Sequence, residues 1–304
     1  MSKRKILVTG GSGLVGSYLL PHLNGKYDLY VTTNKTPTIC GKNIPLDLLQ
    51  IQNVSVKIRE IKPDVIINLA AFTDVDGCEI NHDLSMQLNR DLVATLSKYV
   101  HDNSSYLLHI STDYVFDGNK GNYDEFDDVN PVNWYGITKL QGEKEIISKL
   151  REDSWCIARI STPFGIHKQK LSFPSFVIEK LYKGESIRVL TDQFTSPTYT
   201  VNLASMLEEI IERRISGLIH ASGASRLSRY EQALKICSIF GLNENLILKI
   251  RSNEMNWKAK RPKDSSLNVN KASNVLYNKP ETFDQALKQF ANEINHLNDA
   301  DRLR

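Results

Sequence analysis

A short apolar strand, Lys5-Ile6-Leu7-Val8-Thr9, runs straight into Gly10-Gly11-Ser12-Gly13-Leu14-Val15-Gly16, and this junction constrains the fold more than any other feature of the chain. Glycines at 10, 13 and 16 suit a tight turn, a close backbone approach to a pyrophosphate, and tight packing of helix on sheet. A helix opening near Gly13 would aim its free N–H groups and positive dipole end at phosphates. Leu14, Val15, Tyr18, Leu19 and Leu23 supply its core face. Pro21 removes one helical hydrogen bond, so a kink or an early end is expected. A merely flexible Gly/Ser loop does not explain the position between a strand and an apolar-periodic segment.

Strand and helix signals then alternate. Strands are expected at Asp28–Thr33, Asp64–Leu69, Tyr106–Ile110 and Trp155–Ile160, with one long helix through Leu84, Leu88, Leu92, Leu96 and Val100. The pattern predicts an α/β fold, a Rossmann-type doubly wound parallel sheet with helices on both faces. Ligands of such a sheet sit at the carboxyl ends of its strands, and Gly10, Ala70, Thr112 and Ser161 all fall just past expected strand ends. We expect residues 1–162 to form the dinucleotide-binding domain, with 187–221 returning to its sheet. Residues 163–186 and 222–304 form a smaller C-terminal substrate domain that covers the cleft. The polar end, Asn298 to Arg304, is expected to fray.

Two later stretches carry chemistry: Ser111-Thr112-Asp113-Tyr114-Val115-Phe116-Asp117-Gly118, and Tyr135-Gly136-Ile137-Thr138-Lys139. Residues four apart on a helix share a face, so Lys139 can bring its ammonium near the Tyr135 phenol. A cation there favours the phenolate and draws the tyrosine down towards working pH, as a general acid/base acting on a carbonyl or alcohol oxygen requires. With the Thr112 hydroxyl and the glycine turn, this spacing points to a carbonyl-reducing site.

Composition excludes other classes. A net charge of +3, from 38 basic and 35 acidic residues, gives no argument for nucleic acid or a membrane surface. No segment approaches the roughly 18 consecutive apolar residues of a membrane span, and the apolar run after Lys3-Arg4-Lys5 is too short for a signal core. Cys40, Cys78, Cys156 and Cys237 lie far apart without metal-ligand spacing, and the histidines form no metal motif, so no metal is expected. A reducing, cytoplasmic setting is the simplest account of such cysteine usage. The acidic run Asp124–Asp128 reads as a solvated loop leading to Pro131, and Trp134 as a packing residue.

The glycine pattern, the loop Asn68-Leu69-Ala70-Ala71-Phe72-Thr73-Asp74-Val75-Asp76, the Ser-Thr-Asp-Tyr-Val-Phe-Asp-Gly run and Tyr-x-x-x-Lys resemble those of extended short-chain dehydrogenases. More narrowly they resemble the dTDP-4-dehydrorhamnose reductase group. Asp192-Gln193-Phe194-Thr195-Ser196-Pro197-Thr198 is similar to that group's Asp-Gln-x-Gly-x-Pro-Thr segment, and Arg261-Pro262-x-x-Ser265-x-Leu267 to its Arg-Pro-x-x-Ser-x-Leu run. The resemblance implies that Tyr135 protonates a keto oxygen as hydride arrives, that Thr112 hydrogen-bonds the same oxygen, and that Lys139 holds the nicotinamide ribose. It assigns Gly10, Ser12, Gly13, Leu14, Val15 and Gly16 to the pyrophosphate turn, Asp47 and Leu48 to the adenine, and Ala70 and Ala71 to a close passage beside the cofactor. Thr73, Asp74, Val75 and Arg261 fall on the substrate side, Arg261 facing a nucleotide diphosphate.

Cofactor choice follows from residues. An NAD site usually places an acid about 20 residues after the glycine turn, at the end of the second strand. Here Val31-Thr32-Thr33-Asn34-Lys35 offers hydroxyls, an amide and a cation without a carboxylate, so Thr33, Asn34 and Lys35 favour NADP(H) over NAD(H). The implied activity is NADPH-dependent reduction of the 4-keto group of a nucleotide-activated 6-deoxysugar, as in dTDP-rhamnose biosynthesis. Two departures stand out: Thr162 replaces the tryptophan usual in the reductases, and Phe194-Thr195 replaces a residue-plus-glycine. Pro163 is closer to a sister group, the regulatory beta subunit of methionine adenosyltransferase. A non-catalytic NADP-binding subunit of that enzyme is therefore the alternative. An epimerase or dehydratase of the same superfamily is a third, weaker reading, and a homodimer stays open.

Overall fold

The computed structural model describes residues 3–168 and 170–302. Its centre is a seven-stranded parallel sheet. In chain order the strands are β1 (Lys5–Thr9), β2 (Asp28–Thr33), β3 (Lys42–Pro45), β4 (Val65–Asn68), β5 (Tyr106–Thr112) and β6 (Trp155–Ile160), completed by Gly217–His220. Across the sheet the order is Gly217–His220, β6, β5, β4, β1, β2, β3. The strand order reverses between β1 and β4, which opens a crevice at their carboxyl ends. β3, absent from the expected elements, is a short and mostly exposed edge strand whose Lys-Asn-Ile-Pro sequence carries no apolar alternation.

Strands buried on both faces need apolar side chains at every position. Ile6 and Val8 of β1, with Val65 and Ile67 of β4, face one core together with Leu19, Leu20 and Leu23 of α1 (Leu14–Leu23) and the helix Thr200–Arg213. Leu7, Ile66 and Leu107 face the other, against α2 (Ile51–Ile61) and the helices that follow β4 and β5. Pro21 lies in the last turn of α1, which ends at Leu23, where the Asn24 N–H reaches Leu20 O at 2.9 Å.

After β4 come α3 (Val75–Ile80), α4 (His82–Met86), a π-helical turn at Gln87–Asp91 and α5 (Leu92–Asn103). The expected single helix is thus widened in its middle. Leucines spaced strictly by four drift around a 3.6-residue helix, and one wider turn brings Leu92, Leu96 and Val100 back onto the core side. α6 (Trp134–Ile147) follows the long loop after β5 and is capped by Asn133, whose side chain accepts the Gly136 N–H at 2.8 Å.

A separate core gathers Phe164, Val177, Leu181, Ile187, Val189, Ile236 and Phe290. Of the stretch 187–221, Gly217–His220 enters the main sheet and Thr200–Arg213 packs beside α1, whereas Ile187–Leu190 pairs with Ile247–Ile250 in this second core. That departs from the expected return of the whole stretch: period-two apolar residues mark a strand without naming its partner. Tyr18 ties the parts together, accepting the Ile166 N–H at 2.8 Å and donating to Glu293 at 2.6 Å. The C-terminal helix runs Phe283–Arg302, and residues 303–304 lie outside the described residues.

Candidate active site

One cleft of about 660 Å³ opens at the carboxyl ends of the central strands. Gly10, Ser12, Gly13, Leu14, Val15 and Gly16 form one end of it; Thr33, Asn34, Asp47 and Leu48 form a second wall, and Ala70 and Ala71 its floor. Thr112, Tyr135 and Lys139 line the opposite side, together with Thr73 and Val75. Residues from six separate segments thereby meet.

The turn fits a dinucleotide. Gly10 has φ +70°, and a Cβ there would stand 2.6 Å from Ala70 N. A Cβ on Gly16 would stand 2.3 Å from Gly11 O. Gly13 caps α1 without a side-chain hydrogen bond, which leaves the first N–H groups of the helix directed at the cleft. Asp47 accepts the Leu49 N–H at 3.0 Å, so it serves as a turn residue while also lining the cleft. Thr33 and Asn34 line the cleft at the end of β2; Lys35 is exposed and does not.

On the other side, Thr112 ends β5. Its hydroxyl accepts the Tyr114 N–H at 3.2 Å and donates to Asp113 at 3.1 Å. Asp113 is buried and accepts also from Ser161 at 2.8 Å and Ser265 at 2.5 Å. Burial raises the Asp113 carboxyl above its ordinary value, against those three hydroxyls. Asp113 therefore binds together the ends of β5 and β6 and the segment around Ser265.

The expected coupling of Lys139 to Tyr135 is corrected by the geometry. Lys139 is buried, and its Nζ donates to Ile110 O at 2.7 Å and lies 3.3 Å from His109 Nε2. Burial pulls the lysine down to about 8, partly countered by Glu143 one turn along α6. Burial pushes Tyr135 well above its ordinary value; the neighbouring Thr112 hydroxyl lowers it, and Asp113 raises it further. In this state the phenol is held protonated, because a half-sequestered hydroxyl loses more from desolvation than it gains from a cation directed elsewhere.

Two expected substrate residues play other parts. Asp74 caps α3, accepting the Gly77 N–H at 3.0 Å, and does not line the cleft. Arg261 also lies off the cleft: it is bound to Asp76 at 2.7 Å and lies over the Trp257 ring at 5.0 Å. Trp134 stacks on His82 with centroids 4.1 Å apart and donates to Ser85, clear of the cleft. Thr162, in contrast, lines the cleft with φ +37°, a left-handed conformation uncommon for a β-branched residue.

Sequence reasoning missed Asn89, buried in the π-helical turn. Its amide accepts the Phe72 N–H at 2.8 Å and donates to Phe72 O at 3.1 Å and Thr138 Oγ1 at 3.0 Å, fixing the floor loop to α6. The sequence carried no signal for it, because Asn89 lies between Leu88 and Leu92, off the apolar repeat. Among the described residues no cluster of His, Cys, Asp or Glu could hold a metal, and no helix is long and apolar enough to cross a membrane.

Comparison with known proteins follows the same lines. A probable low-salt glycan biosynthesis reductase, Agl14, of Haloferax volcanii is 30% identical over 275 residues, 88% of this chain and 91% of that one. Methionine adenosyltransferase 2 subunit beta of Danio rerio is 30% identical over 277 residues, 87% of this chain and 82% of the relative. A solved dTDP-4-dehydrorhamnose reductase from Bacillus anthracis, in complex with NADP, superposes with a TM-score of 0.85 at 30% identity, covering 96% of this chain and 100% of that one. The family described as RmlD substrate binding domain matches residues 4–296, and the chain belongs to it.

Proposed function

We propose that the protein is an NADPH-dependent oxidoreductase that reduces the 4-keto group of a nucleotide-activated 6-deoxysugar. The observation that carries this reading is the meeting of Thr112, Tyr135 and Lys139 with the Gly10–Gly16 turn in one cleft. The bound dinucleotide supplies the hydride. Tyr135, kept protonated by its surroundings, gives its proton to the keto oxygen, and the Thr112 hydroxyl turns its single proton from Asp113 to the same atom when substrate binds. Lys139 offers the cation that holds the nicotinamide ribose. Asp113, held by the Ser161 and Ser265 hydroxyls whether or not Thr112 turns to substrate, is committed to the frame of the site, which favours reduction over a dehydratase role.

Thr33 and Asn34 without a carboxylate support NADPH over NADH, as does the NADP bound in the Bacillus anthracis relative. The relatives named as reductases support the sugar substrate. All four cysteines are free and buried, which suits a cytoplasmic setting. A regulatory role beside a methionine adenosyltransferase is the second reading, favoured by the Danio rerio relative.

The test is NADPH oxidation with dTDP-4-keto-6-deoxy sugars, in wild type and Tyr135→Phe. Turnover that falls by about 10²–10⁴-fold in the variant, with NADPH binding intact, supports the reductase. Tight NADPH binding without turnover, with a methionine adenosyltransferase retained on the immobilised protein, supports the regulator instead.

A further inference from the structure

Two departures of this sequence from the reductase pattern meet beside the cleft. Thr162 Oγ1 donates to Thr195 Oγ1 at 3.3 Å, and Thr195 accepts also from the Gln232 amide at 3.1 Å. Gln232 Oε1 in turn lies 3.4 Å from Arg229 Nη1. Thr195 and Gln232 are 1% and 0% exposed, so a buried polar column leads from the cleft wall at Thr162 to a half-buried guanidinium. Strand pairing builds the column: Leu227–Ser228 runs antiparallel to Phe194–Thr195 and delivers the start of the helix Arg229–Phe240 to this place.

Arg229 stands where a cation has no local reason to be. It opens its helix, at the end where the backbone dipole disfavours positive charge. The acid in the same turn, Glu231, accepts the Ser228 N–H at 2.7 Å as part of a capping box. Other arginines of this lobe have carboxylates: Arg226 has Asp264 at 2.6 Å and Arg261 has Asp76 at 2.7 Å. Among the described residues no carboxylate pairs with Arg229. Its side chain has the long contact to Gln232, at the weak limit of a hydrogen bond, and the Phe173 ring, 4.8 Å from the guanidinium carbon. Burial holds the group below its ordinary value, countered by the Tyr114 phenol and the Asp113 carboxyl, and an arginine stays charged regardless. Asp113 is itself held by Ser161 and Ser265.

The neighbours of Arg229 belong to the cleft. Asp113, Tyr114 and Thr162 line it, as does Ser172, next to Phe173. In the reductase reading the Gly10–Gly16 end is filled by the dinucleotide. A sugar at Thr112 and Tyr135 then has only the second lobe to extend towards, and the helix Arg229–Phe240 packs on the core of that lobe.

We propose that Arg229 is an anion-binding residue of the substrate site: its guanidinium takes an oxyanion of the incoming nucleotide sugar, either a phosphoryl group of the diphosphate or an acid carried on the sugar. This rests on the reductase reading. A planar guanidinium offers paired N–H donors that match two oxygens of a phosphoryl or carboxylate group. With no carboxylate beside it, the charge is left for the ligand. Arg261, which the sequence offered for the diphosphate, is already bound to Asp76.

The test is calorimetric binding of thymidine, dTDP, dTDP-glucose and dTDP-glucuronate to wild type, Arg229→Gln and Arg229→Lys, with NADP present. Arg229→Gln should weaken dTDP by about tenfold or more, the scale of a hydrogen bond to a charged group, and leave thymidine unchanged. Lysine, which keeps the charge without the fork, should recover part of the loss. That result assigns the diphosphate; a loss confined to dTDP-glucuronate assigns an acid on the sugar. Equal losses for all four, thymidine included, or a loss for none, overturn the proposal. The melting temperature of ligand-free Arg229→Gln should equal or exceed that of wild type, because no partner is left uncompensated. A fall in melting temperature with binding unchanged marks a residue that only supports the fold and overturns the proposal. A second readout needs no nucleotide: pyrophosphate and glucuronate are titrated into arginine-labelled wild type, and the Nε–H signal absent from Arg229→Lys should move. If wild type binds none of the four nucleosides and nucleotides, the dTDP-sugar reading falls, and this signal still decides whether Arg229 takes an oxyanion. A signal that neither anion moves overturns the proposal.

Discussion

Arg261 grips Asp76 with both prongs of its guanidinium, Nη1 2.7 Å from Oδ1 and Nη2 3.0 Å from Oδ2. The same Oδ1 accepts the backbone N–H groups of Lys258 at 3.0 Å and Ala259 at 2.8 Å. These donors, the guanidinium foremost, hold the Asp76 carboxyl below its ordinary range. Asp76 belongs to α3, which begins at Val75 on the cleft wall, so the pair fastens the loop after β4 to a segment nearly two hundred residues away. If Arg261 acts through this clamp, Asp76→Asn and Arg261→Gln should each raise KM for the keto sugar by about fivefold, the scale of one partly exposed ion pair. The double variant should be no worse than either single one. A normal Asp76→Asn beside a crippled Arg261→Gln would mean that Arg261 touches substrate directly.

Gly10 is the position where a methyl group has no room. With φ +70° and a Cβ only 2.6 Å from Ala70 N and 2.8 Å from Leu69 C, alanine must push β1 and β4 apart at their ends. Gly10→Ala should cost about 2 kcal/mol of stability or more. It should also weaken NADPH binding at least tenfold. Thermal denaturation and fluorescence titration measure the two effects, and unchanged values in both would refute the close approach.

Glu143 and Arg159 form a buried two-point pair, at 2.9 and 2.7 Å, with side-chain exposures of 1% and 4%. Removing one partner leaves a charge in the core without compensation. Arg159→Met should destabilise the protein by about 3–5 kcal/mol, whereas Glu143→Leu combined with Arg159→Met should recover most of that loss. Denaturant unfolding at neutral pH decides it; a double variant as unstable as the single one would count against the account.

Lys139 gives a signed pH dependence. Its folded pKa is about 8, lowered by burial, while the unfolded chain keeps the ordinary lysine value of 10.5. Between these values the unfolded chain holds a proton that the native state has released, so this group's contribution to stability rises with pH. Below about 8 both states are protonated, and the native state bears the full burden of a buried cation. Lys139→Met should flatten the stability profile across that window and, at neutral pH, stabilise the fold by about 1–3 kcal/mol while abolishing turnover. Melting temperatures measured across the window test the slope, and a variant that keeps it would assign the slope to other groups.

Much of the site was legible in the chain itself. The Gly10–Gly16 turn, the Thr112 strand end and the Tyr135–Lys139 spacing are local patterns, because backbone conformation, helix periodicity and strand ends are set by nearby residues. All three meet in one cleft. Lys35, Asp74 and Arg261, expected at the site, do not line this cleft, and the reason is common to them. A charged or capping side chain on a loop chooses among partners that the local sequence does not name. Asp74 took the Gly77 N–H and Arg261 took Asp76.

The sequence by itself determined the alternation of strands and helices, the glycine turn after β1 and the one-turn spacing of Tyr135 and Lys139, since each depends on residues a few positions apart. Only the tertiary structure decided the partner of Ile187–Leu190, the π-helical turn that seats Asn89, and the direction in which Lys139 points. Those outcomes rest on burial and on contacts between distant segments. In a dry interior a lysine follows the nearest carbonyl and ring nitrogen, and a carboxylate follows the nearest hydroxyls, because an unpaired polar group there costs more than any local preference.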